Sequence, residues 1–340
     1  MSELDSRDPI GRATVDAAAL VAEFPPRLGH RNKRALYEKA CPPGARHGGA
    51  ITVSRWPQPA LPSDARWTTA PTTLELREDV FAYDPPIRGA AHAVVEWHLN
   101  FAHTILFVAY GGPLFAQDEM QVAEHPALGS VREWLTSESL PGLRAVTREG
   151  GKATPVLLRG VERRCAVATD ADVDEDRPYG LYGAAFGRAR VEAVLRATRV
   201  IDPPTITNLV AMEAPSGASG RYTGAQIRDV LATAHAGFRA ARLESAIAAG
   251  PEARVAIHTG HWGTGAYGGD RVLMAMVQLL AAKAAGVDRM VFHTYDAAGA
   301  APCREAAARL EGLAAAGASV DEVLTAIERE GFVWGTSDGN

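Results

Sequence analysis

The most constraining feature of this 340-residue chain is a glycine-rich segment between a short apolar run and an amphipathic one. The run Arg254–Thr259 predicts a strand, and residues 270–285 have helical periodicity. Five of the ten residues from Gly260 to Gly269 are glycines. Such a loop lets several backbone N–H groups converge on an anion, because no side chain blocks the approach. The segment predicts a phosphate or pyrophosphate site, and a purely architectural turn is the alternative.

Strand-like and helix-like patterns alternate along the rest of the chain, which predicts an α/β fold with some parallel pairing. Further strands are predicted within residues 93–110, 155–169, 206–214 and 289–295, and further helices at 16–24, 115–123, 223–248 and, as two short ones, within 301–333. Residues 41–62 are rich in proline and glycine and are interpreted as a loop or linker. We expect an N-terminal extension over 1–65, the main domain over 66–300 and a helical tail over 301–340.

Composition excludes several classes of protein. The chain is 47% hydrophobic and 22% charged, which excludes global disorder. Its net charge of −5 offers no general attraction to nucleic acid. The N-terminus lacks an apolar signal, and the apolar helical stretch 272–285 is too short to span a bilayer. The three cysteines form no close pair. We therefore expect a cytoplasmic protein with no membrane association.

The glycine segment also matches a dinucleotide-binding pattern, through Gly263, Gly265 and Gly268. Asp296 ends the following predicted strand, as an acidic ribose ligand would. Topology disfavours this reading, because the pattern lies late in the chain and too few strands follow it. The predicted strand also ends several residues before the first pattern glycine.

A second group of polar residues is Gln117-Asp118-Glu119, at a predicted helix start just after Gly111-Gly112. Adjacent carboxylates point in different directions on a helix, so one can face a cleft while the other anchors the loop. The residues alone favour two ordinary first-turn acids stabilised by the helix dipole. Acid catalysis would require burial or a nearby phosphate to raise the pKa of one carboxyl.

The ten histidines show no metal-ligand spacing, including the pairs His98 with His103 and His258 with His261. No G-x-S-x-G nucleophile motif is present. We expect neither a metal nor a cofactor.

Taken together, these segments resemble the poly(ADP-ribose) glycohydrolase family, whose catalytic domain is a macrodomain. Residues 254–296 resemble that family's late block, in which a strand is followed by T-G-N-W-G-x-G-x-F-G-G-D, a helix and a final strand. Asn100–His103 and Gln117–Glu119 resemble its D-F-A-N and Q-E-E segments at the same separation. Residues 179–186, 208–214 and 228–239 follow in the expected order. The similarity spans about 93–297 and implies a macrodomain-like mixed sheet sandwiched by helices.

The resemblance implies roles for individual residues. Glu119 takes the place of the catalytic acid, and Asp118 that of the acid that fixes the ribose. The loop Gly263–Gly269 would hold the diphosphate, Tyr267 would pack on the ribose or phosphate, and Phe186 or Tyr182 would lie near the adenosine. The substrate-binding residues expected on this basis are Gln117, Asn100, His103, Gly111, Gly112, Phe186, Tyr182, His261, Gly263, Thr264, Gly265, Ala266, Tyr267 and Gly268.

The departures from the family pattern cluster at the distal ribose and leaving group. Phe107-Val108-Ala109 aligns with the family's triple glycine, and His103 and His261 each replace an asparagine. Glutamate is shortened at Asp118, and aspartate becomes Asn100, whereas the diphosphate loop is intact.

The resemblance and its departures imply an ADP-ribosyl glycohydrolase acting on ADP-ribose or an ADP-ribosyl substrate. A small NAD-derived molecule fits the departures better than a polymer, and nucleic acid is expected only as a modified substrate. The alternatives are a non-catalytic ADP-ribose-binding macrodomain, which the missing triple glycine favours and Glu119 opposes, and a Rossmann-type NAD oxidoreductase, which topology disfavours.

Overall fold

The computed structural model describes residues 7–62, 72–81, 83, 93–137, 139–215, 218–314 and 317–337. Its strands are β1 (Gly11–Asp16), β2 (Ala50–Arg55), β3 (Thr73–Arg77), β4 (Val94–Ala102), β5 (Arg148–Glu149), β6 (Lys152–Ala153), β7 (Val156–Val167), β8 (Thr198–Glu213), β9 (Arg254–Thr259) and β10 (Arg289–His293). Its helices are α1 (Ala17–Glu23), α2 (Arg31–Ala40), α3 (Gln117–Glu124), α4 (Ala127–Ser137), α5 (Ala185–Arg188), α6 (Val191–Ala197), α7 (Gly224–Ala249), α8 (Arg271–Ala285), α9 (Ala297–Ala314) and α10 (Val320–Glu330).

Eight of these strands form one mixed sheet in the order β1-β2-β7-β8-β4-β9-β10-β3. The strands from β8 to β3 are parallel, and β1, β2, β7 and β8 pair antiparallel. The glycine-rich loop after β9 therefore belongs to a mixed sheet that differs from the doubly wound dinucleotide fold. Asp296, the expected ribose ligand of that reading, instead accepts the N–H of Gly299 at 2.7 Å at the start of α9.

Side-chain alternation along the strands builds a core on each face of the sheet. In β8, Val210 and Met212 pack with α7, α8, α9 and α10, whereas Leu209 and Ala211 pack with α1, α3 and α4. Strand β4 alternates in the same way, because Trp97 and Leu99 lie in the first core. The result is a sheet between two helical layers, which confirms the predicted macrodomain-like α/β architecture.

The N-terminal segment is part of this sheet. Strands β1 and β2 occupy one edge, and Ile51 and Val53 are buried against α1 and α4. The prediction of a loop over 41–62 is therefore wrong for residues 50–55, where a short β-branched run is flanked by glycine and proline. The boundary at residue 65 falls outside the described residues, and the one at 300 falls inside α9. As a division into domains, these boundaries stay a prediction.

The other predicted elements agree with the structure apart from their ends. The 93–110 segment holds β4, which ends at Ala102 and is followed by turns, and α6 leads directly into β8. Helix α7 begins after Thr223, whose hydroxyl accepts the N–H of Gln226 while the Gln226 side chain returns to the Thr223 N–H. Among the residues that the structure describes, no helix combines the length and the apolar character needed to cross a bilayer.

A substitution in α1 tests whether the N-terminal segment folds together with the sheet. Leu20 is buried between α1 and the sheet, so we expect Leu20→Ala to lower the free energy of unfolding by about 2–5 kcal/mol. Urea denaturation followed by circular dichroism and tryptophan fluorescence should show one transition at a lower midpoint, and Glu23→Ala on the exposed side of α1 should leave it unchanged. A separate transition at lower urea concentration, with the midpoint of the main transition unchanged, would mean that the N-terminal segment folds separately.

Candidate active site

A cleft of about 400 Å³ lies at the carboxyl ends of the parallel strands β4, β8 and β9. In α/β folds this edge of the sheet is the usual position of a ligand site, because the loops that follow the strands meet there. Most of the residues predicted for the site line this cleft: His103, Gln117, Asp118, Glu119, Tyr182, His261, Gly263, Thr264, Gly265, Ala266 and Tyr267.

Gln117 attaches the first turn of α3 to the end of β4. Its Oε1 accepts the N–H of Phe101 at 2.8 Å, and its Nε2 donates to the carbonyl of Leu99 at 2.9 Å. Asn100, between these two residues, points toward the α3 side of the sheet, where its Nδ2 donates to Asp118 Oδ1 and to Gln121 Oε1, both at 3.0 Å. These bonds fix where the next two side chains of α3 lie.

Asp118 and Glu119 are both nearly removed from water, at 7% and 4% exposure. Burial, and then the neighbouring carboxylate of Glu119, raises the pKa of Asp118 from 3.8 to about 7, although the Asn100 hydrogen bond and the Lys33 cation oppose the shift. Glu119 turns back so that its Oε2 accepts the N–H of Ala116 at 3.0 Å. Its other oxygen, Oε1, has no hydrogen bond to a described residue.

The glycine-rich loop faces these acids across the cleft. Gly263 and Gly268 have φ angles of 76° and 66°, a left-handed conformation that favours glycine. The N–H groups of Gly269 and Gly268 close the loop on the carbonyls of Gly263 and Gly265. The N–H groups of Gly265, Ala266 and Tyr267 donate to no described residue, so backbone donors are available at the cleft.

The N-terminus of α8 is occupied by its own cap. Asp270 Oδ1 accepts the N–H groups of Val272 and Leu273, both at 2.9 Å. The helix end therefore offers these donors to a carboxylate of the chain, and the loop amides are the free donors.

Three further polar groups lie at the cleft. Burial, and then the carboxylates of Glu213, Asp118 and Glu119, raises the pKa of Tyr267 to about 12. Arg271, the first residue of α8, lines the cleft and supplies an exposed cation there. Burial and the charge of Arg271 lower the pKa of His261.

The segment aligned with the family's triple glycine is a series of tight turns. Phe107 is fully buried with a φ of 54°, which is unusual for a bulky residue. Val108 and Ala109 present their side chains to the cleft, and Val108 is 47% exposed. Aliphatic side chains therefore line the cleft at the segment that aligns with the triple glycine.

Five predicted residues do not line the cleft. Asn100 lies behind Asp118, and Gly268 packs against the backbone of Gly335. The carbonyl of Gly111 accepts the N–H groups of Gly29 and His30, at 3.0 and 2.9 Å, and Gly112 continues the same turn. The structure therefore uses this glycine pair to hold the N-terminal segment.

Phe186 is the fifth such residue. Its ring stacks on Phe115 with centroids 4.1 Å apart and is fully buried. This position in the core separates it from the cleft, and Tyr182 is the aromatic residue of that segment that lines the cleft.

Sequence reasoning missed two cations of the site. Arg271 directly follows Asp270 at the end of the glycine-rich loop, and its position beside a predicted anion site was a usable signal. Lys33 comes from α2 in the N-terminal segment, where nothing in the sequence relates it to the carboxylates. It is 2% exposed, and burial lowers its pKa to about 8 although Glu119 and Asp118 act in the opposite direction.

Two of the four histidines considered as metal ligands, His98 and His258, belong to a buried network next to the cleft. His258 Nδ1 lies 3.0 Å from His293 Nε2, His293 Nδ1 lies 2.5 Å from Asp79 Oδ1, and the ring of His98 stacks on His258 at 4.3 Å. Within the described residues, no group of three or more histidine, cysteine, aspartate or glutamate side chains could hold a metal ion. His293 and Asp79 line a second cavity of about 730 Å³, which shares residues with the cleft: Phe101, Gln117, Tyr182 and His261.

Residues 191–301, from α6 into α9, match a family model described as poly(ADP-ribose) glycohydrolase (PARG), macro domain fold. The matched segment includes β8, β9, the glycine-rich loop and β10. These residues are similar to the poly(ADP-ribose) glycohydrolase family, and the macro domain fold of that family agrees with the macrodomain-like fold that the sequence predicted. The matching family is described as a glycohydrolase, which is the class of enzyme that the sequence predicted.

Solved structures of similar architecture include two bacterial enzymes. The poly(ADP-ribose) glycohydrolase from Thermomonospora curvata, bound to the inhibitor ADP-HPD, is 17% identical, with 86% of this chain and 98% of that chain covered and a TM-score of 0.46. The one from Deinococcus radiodurans in complex with ADP-ribose is 16% identical, with 89% and 95% covered and a TM-score of 0.40. No curated protein matches the sequence.

The raised pKa of Asp118 gives a stability prediction. Between about pH 4 and pH 7 the folded state keeps a proton that an unfolded chain has released, so rising pH costs the wild type stability over this window. Asp118→Asn removes this cost and can still accept the Asn100 hydrogen bond. We expect the variant's melting temperature to exceed that of the wild type by a margin that grows to several degrees near pH 7. Differential scanning fluorimetry checks this, and a margin independent of pH would contradict it.

Proposed function

We propose that this protein is an ADP-ribosyl glycohydrolase that cleaves the C1″ bond of an ADP-ribosylated substrate, with Glu119 as general acid and base. The observation that carries the proposal is the arrangement of the cleft. Two buried carboxyls, Asp118 and Glu119, lie on one wall, and the free backbone donors of residues 265–267 lie on the other. A diphosphate bound to those donors would leave the ribose beyond it near the acids.

One carboxyl of the buried pair can keep its proton near neutral pH. Burial and the neighbouring carboxylate raise the pKa of Asp118 to about 7. In this proposal, Glu119 passes that proton on to the substrate. Glu119 Oε2 is held by Ala116, so Oε1 is the oxygen that can carry the proton to the leaving group. A neutral carboxylic acid near pH 7 is what general acid catalysis needs.

The reaction then uses one carboxyl twice. Glu119 donates its proton to the leaving atom as the C1″ bond breaks through an oxocarbenium-like transition state. A water molecule attacks C1″, and the Glu119 carboxylate takes the proton that this water releases. Asp118 would hold a ribose hydroxyl. Tyr267 would pack on the ribose, and the Arg271 cation would pair with the diphosphate.

Two relatives support the choice of ligand. One similar structure is named as bound to ADP-HPD and another as in complex with ADP-ribose. In this chain, the side chains of Val108 and Ala109 line the same cleft as Glu119 and occupy space that glycines would leave free, which supports a compact NAD-derived leaving group over a polymer chain. Release of ADP-ribose from poly(ADP-ribose) should therefore be slower than from ADP-ribose carrying a small chromogenic group at C1″.

A second candidate function is a reader that binds ADP-ribose without turnover. The aliphatic residues in place of the triple glycine favour it, because they replace a flexible backbone next to the expected leaving group. Both candidates require ADP-ribose binding in the calorimeter, and only the enzyme releases ADP-ribose from a C1″-substituted substrate. A dinucleotide oxidoreductase would instead bind NAD and change nicotinamide absorbance.

A variant of the acid separates catalysis from binding. Glu119→Gln keeps the shape of the side chain but cannot donate and regain the proton, so we expect turnover to fall by at least about 10²-fold. Its affinity for ADP-ribose, measured by isothermal titration, should stay within about tenfold of the wild type because the loop donors are intact. Loss of binding together with turnover would assign Glu119 to the ligand site rather than to proton transfer.

A variant of the loop tests the diphosphate site. Gly265→Leu places a branched side chain where the backbone must approach the ligand, so titration with ADP-ribose should give no binding heat. Melting temperature and circular dichroism serve as controls for folding. Normal binding by the folded variant would exclude residues 265–267 as the phosphate donors.

A further inference from the structure

Lys33 is an unusual residue to find beneath an active site. Lysine is rarely fully buried without an ion-pair partner, yet Lys33 is 2% exposed and has no described carboxylate within 4.0 Å of its Nζ. It lies on α2, in the N-terminal segment outside the part that the family model matches. Its ammonium group therefore needs an explanation from its surroundings.

Two of the three contacts of the Lys33 ammonium group are with residues at or just before the start of α3. The Nζ atom donates to the backbone carbonyl of Glu119 at 3.5 Å. It also lies 4.8 Å from the ring centroid of Phe115 and 5.4 Å from that of Phe186, two rings that stack on each other. The faces of such rings attract a cation.

Stability alone does not account for a charge at this place. Removing an ammonium group from water costs free energy that a carbonyl and two rings repay only in part, and methionine would fill the same space without that cost. The closest opposite charges are Asp118 and Glu119, which favour the charged form of Lys33, as Lys33 favours the ionised form of Asp118. The interaction between Lys33 and Asp118 is reciprocal, so each favours the charged form of the other.

We propose that Lys33 is a positioning residue of the reaction, which holds the start of α3 from below and supplies the buried positive charge that balances the Asp118–Glu119 pair. The role of Lys33 in the reaction rests on the proposed function. Its effect on the titration of Asp118 can be measured without turnover.

Other titratable and charged groups lie near this pair. His30 caps the N-terminus of α2, one turn before Lys33, and Tyr37 follows Lys33 on the helix. His261 and the exposed cation of Arg271 line the same cleft as the acids. From the glycine-rich loop, Tyr267 faces the acids as a neutral phenol below about pH 12. Among these, Lys33 is the group whose loss removes a buried positive charge. Without it the pair should keep its proton to higher pH.

The test compares Lys33→Met with Lys39→Met and Lys33→Arg. Lys39 lies on the same helix but donates to the carbonyl of Leu195, so it is a matched lysine away from the acids. In Lys33→Met, we expect the alkaline limb of the kcat/KM profile to move up by about one pH unit. Lys39→Met and Lys33→Arg should keep the wild-type profile. The melting temperature of Lys33→Met at pH 6 should equal or exceed that of the wild type.

A second measurement does not depend on turnover. Carboxyl 13C NMR, with the Asp118 signal assigned from Asp118→Asn, should show the Asp118 titration move to higher pH by about one unit in Lys33→Met. In the wild type, the Cε signal of Lys33 should titrate near pH 8 and respond to the Asp118 step near pH 7. This wild-type measurement decides the question if Lys33→Met fails to fold.

The outcomes are distinct. The proposal would be overturned if the Asp118 titration were unshifted in Lys33→Met. It would also be overturned if the Lys33 signal of the wild type did not change as Asp118 titrates. A lower melting temperature with an unchanged pH profile would also overturn it and leave Lys33 a purely structural residue. If the wild type releases ADP-ribose from no substrate, the proposed function fails, while the NMR titrations still decide whether Lys33 balances the acids.

Discussion

The two hydrogen bonds of the Gln117 side chain determine where the acids of this protein lie. A primary amide both donates and accepts, so it can bond to a carbonyl and an N–H group two residues apart on the same strand. Gln117 uses both functions at the end of β4, and α3 therefore starts at the carboxyl edge of the sheet. Asp118 then lies over Asn100, and Glu119 turns back to Ala116. The acids follow β4 and the glycine-rich loop follows β9. Because these two strands pair, the distance between the acids and the loop is set by that pairing and by the Gln117 attachment.

The attachment of α3 to β4 also places ionisable side chains in the protein interior, where burying a charge costs free energy of folding. Asp118, Glu119 and Lys33 are all buried, and Tyr267 is pushed toward its neutral form by the acids. Proteins retain such groups where activity requires them, and the stability is supplied elsewhere. Here the two cores on the faces of the sheet supply it, with fully buried tryptophans such as Trp97 and Trp262.

Sequence patterns predicted the sheet where local chemistry and tertiary packing agree. The Thr223 cap of α7 and the apolar run of β9 are such cases, because each is decided within a few residues. Strand β2 was missed since its neighbours are glycine and proline, and only pairing with β1 and β7 stabilises it.

For the site, the motif residues 117–119 and 263–267 meet in one cleft, as the family resemblance implied, while their catalytic roles stay predictions. Phe186 was misplaced because its partners, Phe115 and Lys33, are distant in the sequence. Lys33 itself could not be found from the sequence, since the contact joins α2 to α3 across more than eighty positions.

The cap of α8 has a consequence for how this protein can change over time. Asp270 accepts N–H groups at the N-terminus of α8, so the free donors of the cleft are the backbone N–H groups of residues 265–267. The direction of these N–H groups depends on the loop conformation and not on the identity of the side chains. Thr264 and Ala266 can therefore be exchanged for any residue except proline without removing a backbone donor, provided that the left-handed positions stay glycine. Under the proposed function, substitutions in the loop can change the wall that meets the rest of a substrate while the backbone donors for its diphosphate are kept.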